Sequence, residues 1–244
     1  MGQNFNLYYF IGCSSFVNKE TAENMLKILK SINQNVKLFD NEPCCGGYLY
    51  FQGYKDKAIE KFRKNIEYFS QYDIDQILVN CPECCYTLKY LYKKYFNNWD
   101  KVIIHSSELL YNLIKENKIQ LNNVDLKVTY YDPCHLSRHC FIYDKPRFII
   151  KKIPGLKFKE LDLKIEHSQC CGGPIRDPFV EVRNELSLDI LKLSRRKGKI
   201  IITACPTCKY NLNTVAELFE QKTKSIDIID LVAYSMGLIS DLNI

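Results

Sequence analysis

The sequence lacks the features of several protein classes. No stretch of its 244 residues approaches 18 uninterrupted apolar residues, so we expect no membrane span. Met1–Tyr9 has neither the basic start nor the apolar run of a secretion signal, so we expect a cytoplasmic chain, either free or held at a membrane through a partner. Basic residues are dispersed apart from Lys192–Lys199, so the formal charge of +6 does not predict nucleic-acid binding.

Cysteine, in contrast, is abundant, with 12 residues. The 46% hydrophobic content is sufficient for a core, so this many cysteines in a cytoplasmic chain indicate metal or redox chemistry rather than stabilising disulfides. Ten of them form two sets of five with the same pattern: one cysteine, then Cys-Cys-Gly-Gly, then Cys-Pro-x-Cys. The first set is Cys13, Cys44, Cys45, Cys81 and Cys84. The second set is Cys134, Cys170, Cys171, Cys205 and Cys208.

Short apolar runs alternate with amphipathic segments, which predicts an α/β fold of two duplicated Rossmann-like halves with mostly parallel sheets. The two motif copies lie about 120 residues apart, so we place the halves at residues 1–122 and 123–244. The cysteines follow predicted strands, as Cys13 follows the run Leu7–Gly12. The carboxyl ends of parallel strands meet at one edge of a sheet, so the five cysteines of each half are expected to converge there.

The two Cys-Pro-x-Cys segments, Cys81–Cys84 and Cys205–Cys208, have the pattern of a helix start. The first cysteine is predicted at the N-cap and the proline at the first helical position, where its missing N–H costs no hydrogen bond. The second cysteine then lies in the first turn. Free backbone N–H groups and the helix dipole stabilise thiolates at this position, and thiolate is the form that binds metal.

The adjacent pairs Cys44-Cys45 and Cys170-Cys171 do not suit a single ion, because neighbouring side chains of an extended segment diverge. The glycines that follow permit a turn with positive φ that aims both sulfurs inward. A cluster several ångströms across accepts both, whereas tetrahedral zinc needs only four ligands. The residues therefore favour an iron–sulfur cluster in each set. They leave open zinc, in the first half more than in the second, and metal-free dithiol chemistry.

The doubled pattern resembles the cysteine-rich CCG domain of heterodisulfide reductases, which occurs in their B-type subunits and in the catalytic part of their D-type subunits. The stretches Val128–His139 and Ile153–Leu156 are also similar to D-type subunits. The resemblance implies that each set of five cysteines binds a non-cubane [4Fe-4S] cluster. It also implies a disulfide substrate, small molecule or protein, that is bound between the clusters and reduced in one-electron steps. The resemblance implies no catalytic residue beyond the cluster ligands. Separately, His135 is interpreted as a helix-start residue or a neighbour that supports Cys134, with proton donation to a product thiolate as the alternative.

The chain differs from D-type subunits because it has no Cys-x-x-Cys-x-x-Cys-x-x-x-Cys-Pro segment of the ferredoxin kind. We therefore expect an oxidoreductase subunit that acts on sulfur groups and exchanges electrons with a ferredoxin-like iron–sulfur subunit and a flavin-containing subunit. Gly172-Gly173-Pro174 also replaces a longer glycine run, which leaves the substrate open. One alternative is an electron-relay subunit of a flavin-dependent 2-hydroxy-acid (glycolate or lactate) or glycerol-3-phosphate dehydrogenase. Another is a zinc-stabilised assembly module without a redox role.

Several residues outside the two sets have two interpretations. Cys85 and Cys140 are expected to be small buried hydrophobic residues, with a redox role as the alternative. Arg138 and Arg176 either neutralise cluster charge or lie in solvent. The remaining histidines singled out, His105 and His167, are interpreted as structural.

Overall fold

The computed structural model describes residues 5–175 and 179–244, which contain two four-stranded sheets. The first sheet has the order β2-β1-β3-β4 and the second the order β6-β5-β7-β8, with every strand pair parallel. The strands are β1 Leu7–Phe10, β2 Lys37–Leu38, β3 Gln76–Val79, β4 Val102–His105, β5 Lys127–Tyr130, β6 Lys157–Glu160, β7 Ile200–Thr203 and β8 Lys224–Asp227. The predicted α/β fold with two similar halves is confirmed.

Helices connect the strands. They are α1 Lys19–Ser31, α2 Gly47–Phe51, α3 Lys55–Phe69, α4 Pro82–Tyr86, α5 Tyr92–Tyr95, α6 Ser106–Lys115, α7 Asp144–Lys152, α8 Val180–Arg195, α9 Pro206–Leu218 and α10 Ile228–Ser235. A π-helical turn, Thr87–Leu91, joins α4 to α5, and a second one spans His135–His139. Across the described ranges, no helix has the length and apolar character that crossing a bilayer requires.

The amphipathic pattern of the sequence accounts for the core. On α3, the spacing predicts an apolar face of Ile59, Phe62, Ile66 and Phe69; Phe62 and Phe69 are fully buried, whereas Ile59 and Ile66 are half-buried and Ala58 is buried in addition. β1 is buried along its whole length because helices cover both faces of a parallel sheet. The short helix α2 was not predicted, since its five residues, Gly-Tyr-Leu-Tyr-Phe, are too few and too uniformly apolar to show a helical period.

The two halves pack against each other through matched helices. α1 packs on α10, and α6 packs on α7, so each contact joins one half to the other. The buried carboxylate of Asp230 accepts hydrogen bonds from Thr21 Oγ1 at 2.9 Å and from Asn24 Nδ2 at 3.0 Å, and it pairs with Lys209 Nζ at 2.7 Å. Asn18 Nδ2 also donates to the carbonyl of Pro206 at 2.7 Å. This network ties α1 of the first half to the start of α9, which carries cysteines of the second set.

The predicted joint between the halves lies in the connection from α6 to β5. Asn122 N–H donates to the Ser235 carbonyl at 2.8 Å, and Ser235 Oγ donates back to the Asn122 carbonyl at 2.8 Å. The connection is thus fastened to the end of α10. The boundary between residues 122 and 123 stays a prediction.

Candidate metal centre

All ten cysteines of the two sets lie beyond the carboxyl ends of strands, as predicted. Cys13 and Cys81 follow β1 and β3, and Cys134 and Cys205 follow β5 and β7. All of them are free thiols.

Within the first set, each thiol contacts the next in a single row. Cys84 Sγ lies 3.3 Å from Cys45 Sγ. Hydrogen-bonding contacts join Cys44 to Cys13 and to Cys45, and a further contact joins Cys84 to Cys81. The order along the row is therefore 13, 44, 45, 84 and 81.

The second set repeats this order. Cys171 Sγ lies 3.3 Å from Cys208 Sγ, and Cys134 Sγ lies 3.9 Å from Cys170 Sγ. Hydrogen-bonding contacts complete the row between Cys170 and Cys171 and between Cys208 and Cys205. Equivalent positions in the two sequence motifs therefore occupy equivalent positions in the two rows.

The two rows meet because the thiol of Cys81 contacts the thiol of Cys205. The ten thiols thus form one continuous arrangement, which we call the thiol row, with the half-to-half contact at its centre. The six inner cysteines are buried, whereas Cys13 is exposed and Cys44, Cys134 and Cys170 are half-buried. The row is therefore closed in the middle and open towards both of its ends.

The Cys-Pro-x-Cys segments start helices as the sequence predicts. Cys81 caps α4 and Cys205 caps α9, with the proline at the first helical position in both. Cys205 Sγ accepts the backbone N–H of Cys208 at 3.4 Å. Contacts with the thiols of Cys205 and Cys84, together with N–H groups at the start of α4, hold the pKa of Cys81 well below its usual value. The thiolate is therefore favoured at Cys81, whereas the contact with Cys81 and burial raise the pKa of Cys205 well above its usual value.

The Cys-Cys pairs show the same electrostatic pattern in both halves. Hydrogen bonds from the thiols of Cys13 and Cys45 lower the pKa of Cys44 to about 2. In the second half, hydrogen bonds from Cys134 and Cys171 lower the pKa of Cys170 to about 2. In both halves the pKa is thus lowered at the middle one of three neighbouring thiols, next to the open end of the row.

The glycine after each Cys-Cys pair adopts the predicted positive φ, which is +83° at Gly46 and +80° at Gly172. At Gly172 there is also a close approach, because a Cβ would lie 2.9 Å from the backbone Cα of Arg183 in α8. Gly53 has a φ of +89° with nothing within 4 Å of its Cβ position. Comparing Gly172 with Gly53 therefore separates steric contact from backbone strain.

We expect Gly172→Ala to lower the free energy of unfolding more than Gly53→Ala does. Gly53→Ala carries only the cost of a left-handed backbone, about 1–2 kcal/mol. Gly172→Ala adds displacement of α8, and we expect it also to disturb the second set. Denaturant unfolding of both variants measures the difference, and equal losses would show that the α8 contact is not restrictive.

Polar side chains that the sequence analysis did not single out hold the Cys-Cys pairs in place. Asn65 Nδ2 donates to the Cys44 carbonyl at 2.8 Å, and Tyr92 Oη donates to the Cys45 carbonyl at 3.0 Å. Asn211 Nδ2 and Ser187 Oγ donate to the Cys171 carbonyl at 2.6 and 2.8 Å. Each is a lone polar residue on a helix, so no sequence motif marks it.

Glu42 is a further residue that sequence reasoning missed. Its carboxylate accepts the backbone N–H groups of Ile11 at 2.9 Å and Gly12 at 2.6 Å, which fixes the turn that presents Cys13. Burial raises the pKa of Glu42 to about 7. The same carboxylate lines a cavity of about 310 Å³ at the open end of the first row, together with Tyr9, Ile11, Gly12, Cys13, Leu38, Phe39 and Cys44.

In the second half, an ion-pair network supports the segment before Cys134. Asp132 pairs with Arg147 through two hydrogen bonds of 2.8 and 2.6 Å, and Arg147 Nε also pairs with Glu160 at 2.8 Å. The Asp132 carboxylate accepts the backbone N–H of Ile165 at 2.9 Å as well. This network fixes the start of the loop that leads to the second Cys-Cys pair.

His135 lies against the outer end of the second row. Its Nδ1 is 3.6 Å from Cys134 Sγ, and its ring stacks on His139 at 4.8 Å with the edge of Phe51 4.6 Å away. Within residues 5–175 and 179–244, the buried Nε2 has no hydrogen-bond partner. Burial and the neighbouring His139 lower the pKa of His135 to about 4, so the imidazole is neutral near pH 7.

The remaining candidates have the following positions. Arg138 donates to the Ser168 carbonyl at 2.6 Å, next to the second Cys-Cys pair, whereas Arg176 lies outside the described residues. His105 is fully buried and caps α6, so its structural interpretation is confirmed. The side chain of His167 is 78% exposed beside Glu166.

The thiol row suits a metal cluster rather than one ion. Thiolates are the ligands that iron–sulfur clusters use. A Cβ would lie 3.4 Å from Cys84 Sγ at Gly12, and at Gly173 it would lie 2.9 Å from Thr207 Cγ2 and 3.5 Å from Cys171 Sγ, so both glycines pack closely beside sulfurs. A group with ligands on several metal atoms matches the extended row.

Comparisons with known proteins agree with this arrangement. The D subunit of a heterodisulfide reductase from Methanosarcina acetivorans is 30% identical over 96% of this chain and 59% of that protein. An uncharacterized iron-sulfur protein from Methanocaldococcus jannaschii is 27% identical over 92% of this chain and 45% of its own length. The B subunit of a fumarate reductase (CoM/CoB) from Methanothermobacter marburgensis is 29% identical over 96% of this chain and 48% of its own length. The chain thus spans about half the length of these relatives.

The fold also matches a solved structure, that of a hypothetical protein from Helicobacter pylori. It superposes with a TM-score of 0.62 at 11% identity, over 98% of this chain and 50% of that one, and so supports the fold alone. The model of the cysteine-rich domain family, CCG, matches residues 7–89 and 128–213. These two ranges contain all ten cysteines of the thiol row, five in each. The chain belongs to the CCG cysteine-rich domain family, with one copy of the domain in each half.

Proposed function

We propose that this chain is an iron–sulfur redox subunit of the heterodisulfide reductase type. In this proposal each half of the thiol row holds one cluster, a non-cubane [4Fe-4S] cluster with five cysteine ligands. The observation that carries the proposal is the continuity of the row, with the two sets in contact at Cys81 and Cys205. The relative named as a heterodisulfide reductase, similar over 96% of this chain, supports the same role.

The chain's own residues suggest how a disulfide is handled. The middle of the row is buried, so a substrate sulfur reaches it from the open ends, where Cys13 and Cys134 lie. When bound, the clusters would supply electrons one at a time, and two electrons with two protons would convert a disulfide into two thiols. His135, 3.6 Å from Cys134 Sγ, is neutral near pH 7, so it is placed to hydrogen-bond a thiolate released there and to relay a proton to it, giving up its ring N–H as it takes up another proton. Glu42 holds the turn of Cys13 at the other end.

Electrons for this reaction come from partner subunits in the proposal. Two of the relatives are named as subunits of reductases, the D subunit of a heterodisulfide reductase and the B subunit of a fumarate reductase, and the chain spans about half the length of its relatives. We propose a ferredoxin-like iron–sulfur subunit and a flavin-containing subunit as partners, with the complex in the cytoplasm or attached to a membrane through a partner.

A relay subunit is the second candidate. The B subunit of the fumarate reductase is nearly as similar as the heterodisulfide reductase relative, so electron transfer to a flavin enzyme is a competing role.

A zinc-stabilised module is less consistent with the structure, because zinc gathers four ligands around one point and the thiols lie in a row.

The test is anaerobic purification followed by iron and sulfide analysis and by EPR with and without thiols. We expect iron and sulfide in amounts matching two clusters, and an EPR signal that changes when a thiol substrate is added. Zinc without iron would end both redox proposals. If iron–sulfur clusters are present but their EPR signals do not change when thiols or disulfides are added, the relay role would be favoured.

We expect His135→Asn to slow disulfide reduction by about 10²-fold or more, because a positioned proton-transfer group is lost. Iron content should stay the same, since His135 is not in the thiol row. Thiol release from a disulfide substrate, with a reduced dye as electron donor, measures the rate. His167→Asn is the control, because that side chain is exposed on the surface. Equal rates in both variants would remove His135 from the mechanism.

A further inference from the structure

Three chain segments that lead away from the thiol row share one composition. They are residues 47–55 after the first Cys-Cys pair, residues 86–99 after the first Cys-Pro-x-Cys segment, and residues 135–143 after Cys134. All three are rich in tyrosine and phenylalanine, and together they contain four lysines and one arginine but no aspartate or glutamate. The first acidic residues after them are Asp56, Asp100 and Asp144.

Aromatic contacts bring the three segments together at one surface. The ring of Phe51, from the first segment, has its centre 4.6 Å from that of His135 and 6.0 Å from that of Tyr86. The ring of Tyr86 lies 5.0 Å from that of His139 and 5.4 Å from that of Tyr90, which is 37% exposed. The aromatic chain thus runs from the open end of the second row, where His135 lies, to the outside of the protein.

Lysine side chains border these rings. Lys89 Nζ lies 5.7 Å from the ring centre of Tyr90, and Lys94 Nζ lies 5.6 Å from that of Tyr95. Lys93 and Lys94 are both exposed at the end of α5. The surface therefore combines an aromatic centre with a positively charged border.

Phe141 is exposed beside this surface in a conformation that an unconstrained phenylalanine avoids. Its side chain is 69% exposed, and its backbone φ is +57°. The Phe141 N–H donates to the Ser137 carbonyl at 2.9 Å, and the preceding Cys140 is 5% exposed, so the backbone is fixed on both sides. A bulky residue at positive φ is strained, and such strain is concentrated at functional sites.

We propose that the three segments form a docking surface for the acidic face of a small electron-carrying protein. The inference rests on the redox role proposed above and adds where the electron donor binds. Exposed aromatic rings supply binding energy at protein interfaces, and a positive border attracts and orients an acidic partner. Because each segment begins next to cysteines of the thiol row, a carrier seated here lies close to the metal. One electron then passes from the reduced carrier, which is oxidised, to the metal held by the row, which is reduced.

The first experiment measures binding of an oxidised acidic bacterial ferredoxin to the anaerobically purified protein by titration calorimetry. The double variant Lys93→Glu/Lys94→Glu should weaken binding by about tenfold or more, and added salt should weaken binding of the wild-type protein. Lys151→Glu/Lys152→Glu is the matched control, because it reverses the same charge at two exposed lysines in the last turn of α7. It should change binding little.

Equal losses in the two double variants would mean that total charge decides binding, and this would overturn the proposal. No binding of ferredoxin to the wild-type protein would also overturn it. The same holds if Lys93→Glu/Lys94→Glu instead abolishes binding to phosphatidylglycerol vesicles, since the surface would then face a membrane.

A second experiment follows metal reduction by stopped-flow spectroscopy with two electron donors. Lys93→Glu/Lys94→Glu should slow reduction by ferredoxin about tenfold or more, because electrostatic steering is lost, and should leave reduction by methyl viologen unchanged. Equal slowing with both donors would show damage to the metal sites and overturn the proposal. Iron analysis of the same samples separates the two proposals. Absence of iron ends the redox role, whereas iron-loaded variants that bind ferredoxin equally overturn only the docking surface.

Phe141→Gly tests the aromatic part of the docking surface. Glycine adopts positive φ without strain, so the variant should not lower the thermal unfolding midpoint. It should nevertheless weaken ferredoxin binding by about fivefold or more, as expected for an aromatic residue at the centre of an interface. Unchanged binding would overturn the assignment of Phe141 to the docking surface.

Discussion

Cys84→Ser should reduce the iron and sulfide content of the anaerobically purified protein to about half, because one of the two five-thiol sets loses a ligand. Cys84 Sγ sits inside the first row, 3.3 Å from Cys45 Sγ and in contact with the thiol of Cys81. A serine oxygen is a harder and weaker ligand for iron than a thiolate. Chemical analysis of iron and sulfide measures the loss, and EPR shows which signal remains.

Cys85→Ser is a closely matched control for this prediction. Cys85 is the next residue of the same helix and is equally buried, but its thiol contacts Cys140 rather than the row. We expect it to retain the full iron content. Equal losses in the two variants would mean that disturbance of α4, rather than removal of a ligand, releases the metal. Cys208→Ser should give the complementary result and remove the other EPR signal.

The sequence predicts those features of this site that depend only on residues close together in the chain. The Cys-Pro-x-Cys segment is typical of a helix start, because proline at the first helical position loses no hydrogen bond. Both α4 and α9 begin at such a segment. A glycine after a Cys-Cys pair supplies a positive φ that few other residues tolerate, and both loops use it. The alternation of apolar runs and amphipathic segments predicts the parallel sheets for a similarly local reason.

The parts that could not be predicted depend on how distant segments pack. The contact of Cys81 with Cys205 arises from the docking of two halves, each of which forms its sheet separately. Glu42 reaches the N–H groups of Gly12 and Ile11 from about 30 residues away, and no local pattern marks such an acceptor. The hydrogen bond between Cys85 and Cys140 likewise follows from the packing of α4 on the turn His135–His139.

Arg147→Met should lower the free energy of unfolding by about 3–5 kcal/mol, as expected when one partner of a buried ion pair is removed. The Arg147 side chain is 9% exposed and that of Asp132 is 1% exposed, so the carboxylate left behind has little access to water. Asp132 and Glu160 balance the guanidinium together, and these contacts hold the pKa of Arg147 above its usual value despite its burial. Methionine keeps much of the side-chain volume, so the measured loss reflects charge rather than a cavity.

Denaturant unfolding of three variants beside the wild-type protein tests this prediction. Lys157→Met breaks the ion pair between Lys157 and Asp125, whose side chains are 70% and 74% exposed. It should lower the free energy of unfolding by no more than about 1 kcal/mol. Adding Asp132→Asn to Arg147→Met should recover part of the stability, because it removes the uncompensated charge while keeping an acceptor for the Ile165 N–H. A loss for Arg147→Met no larger than that for Lys157→Met would show that water reaches Asp132. The segment before Cys134 would then owe its position to packing rather than to this ion pair.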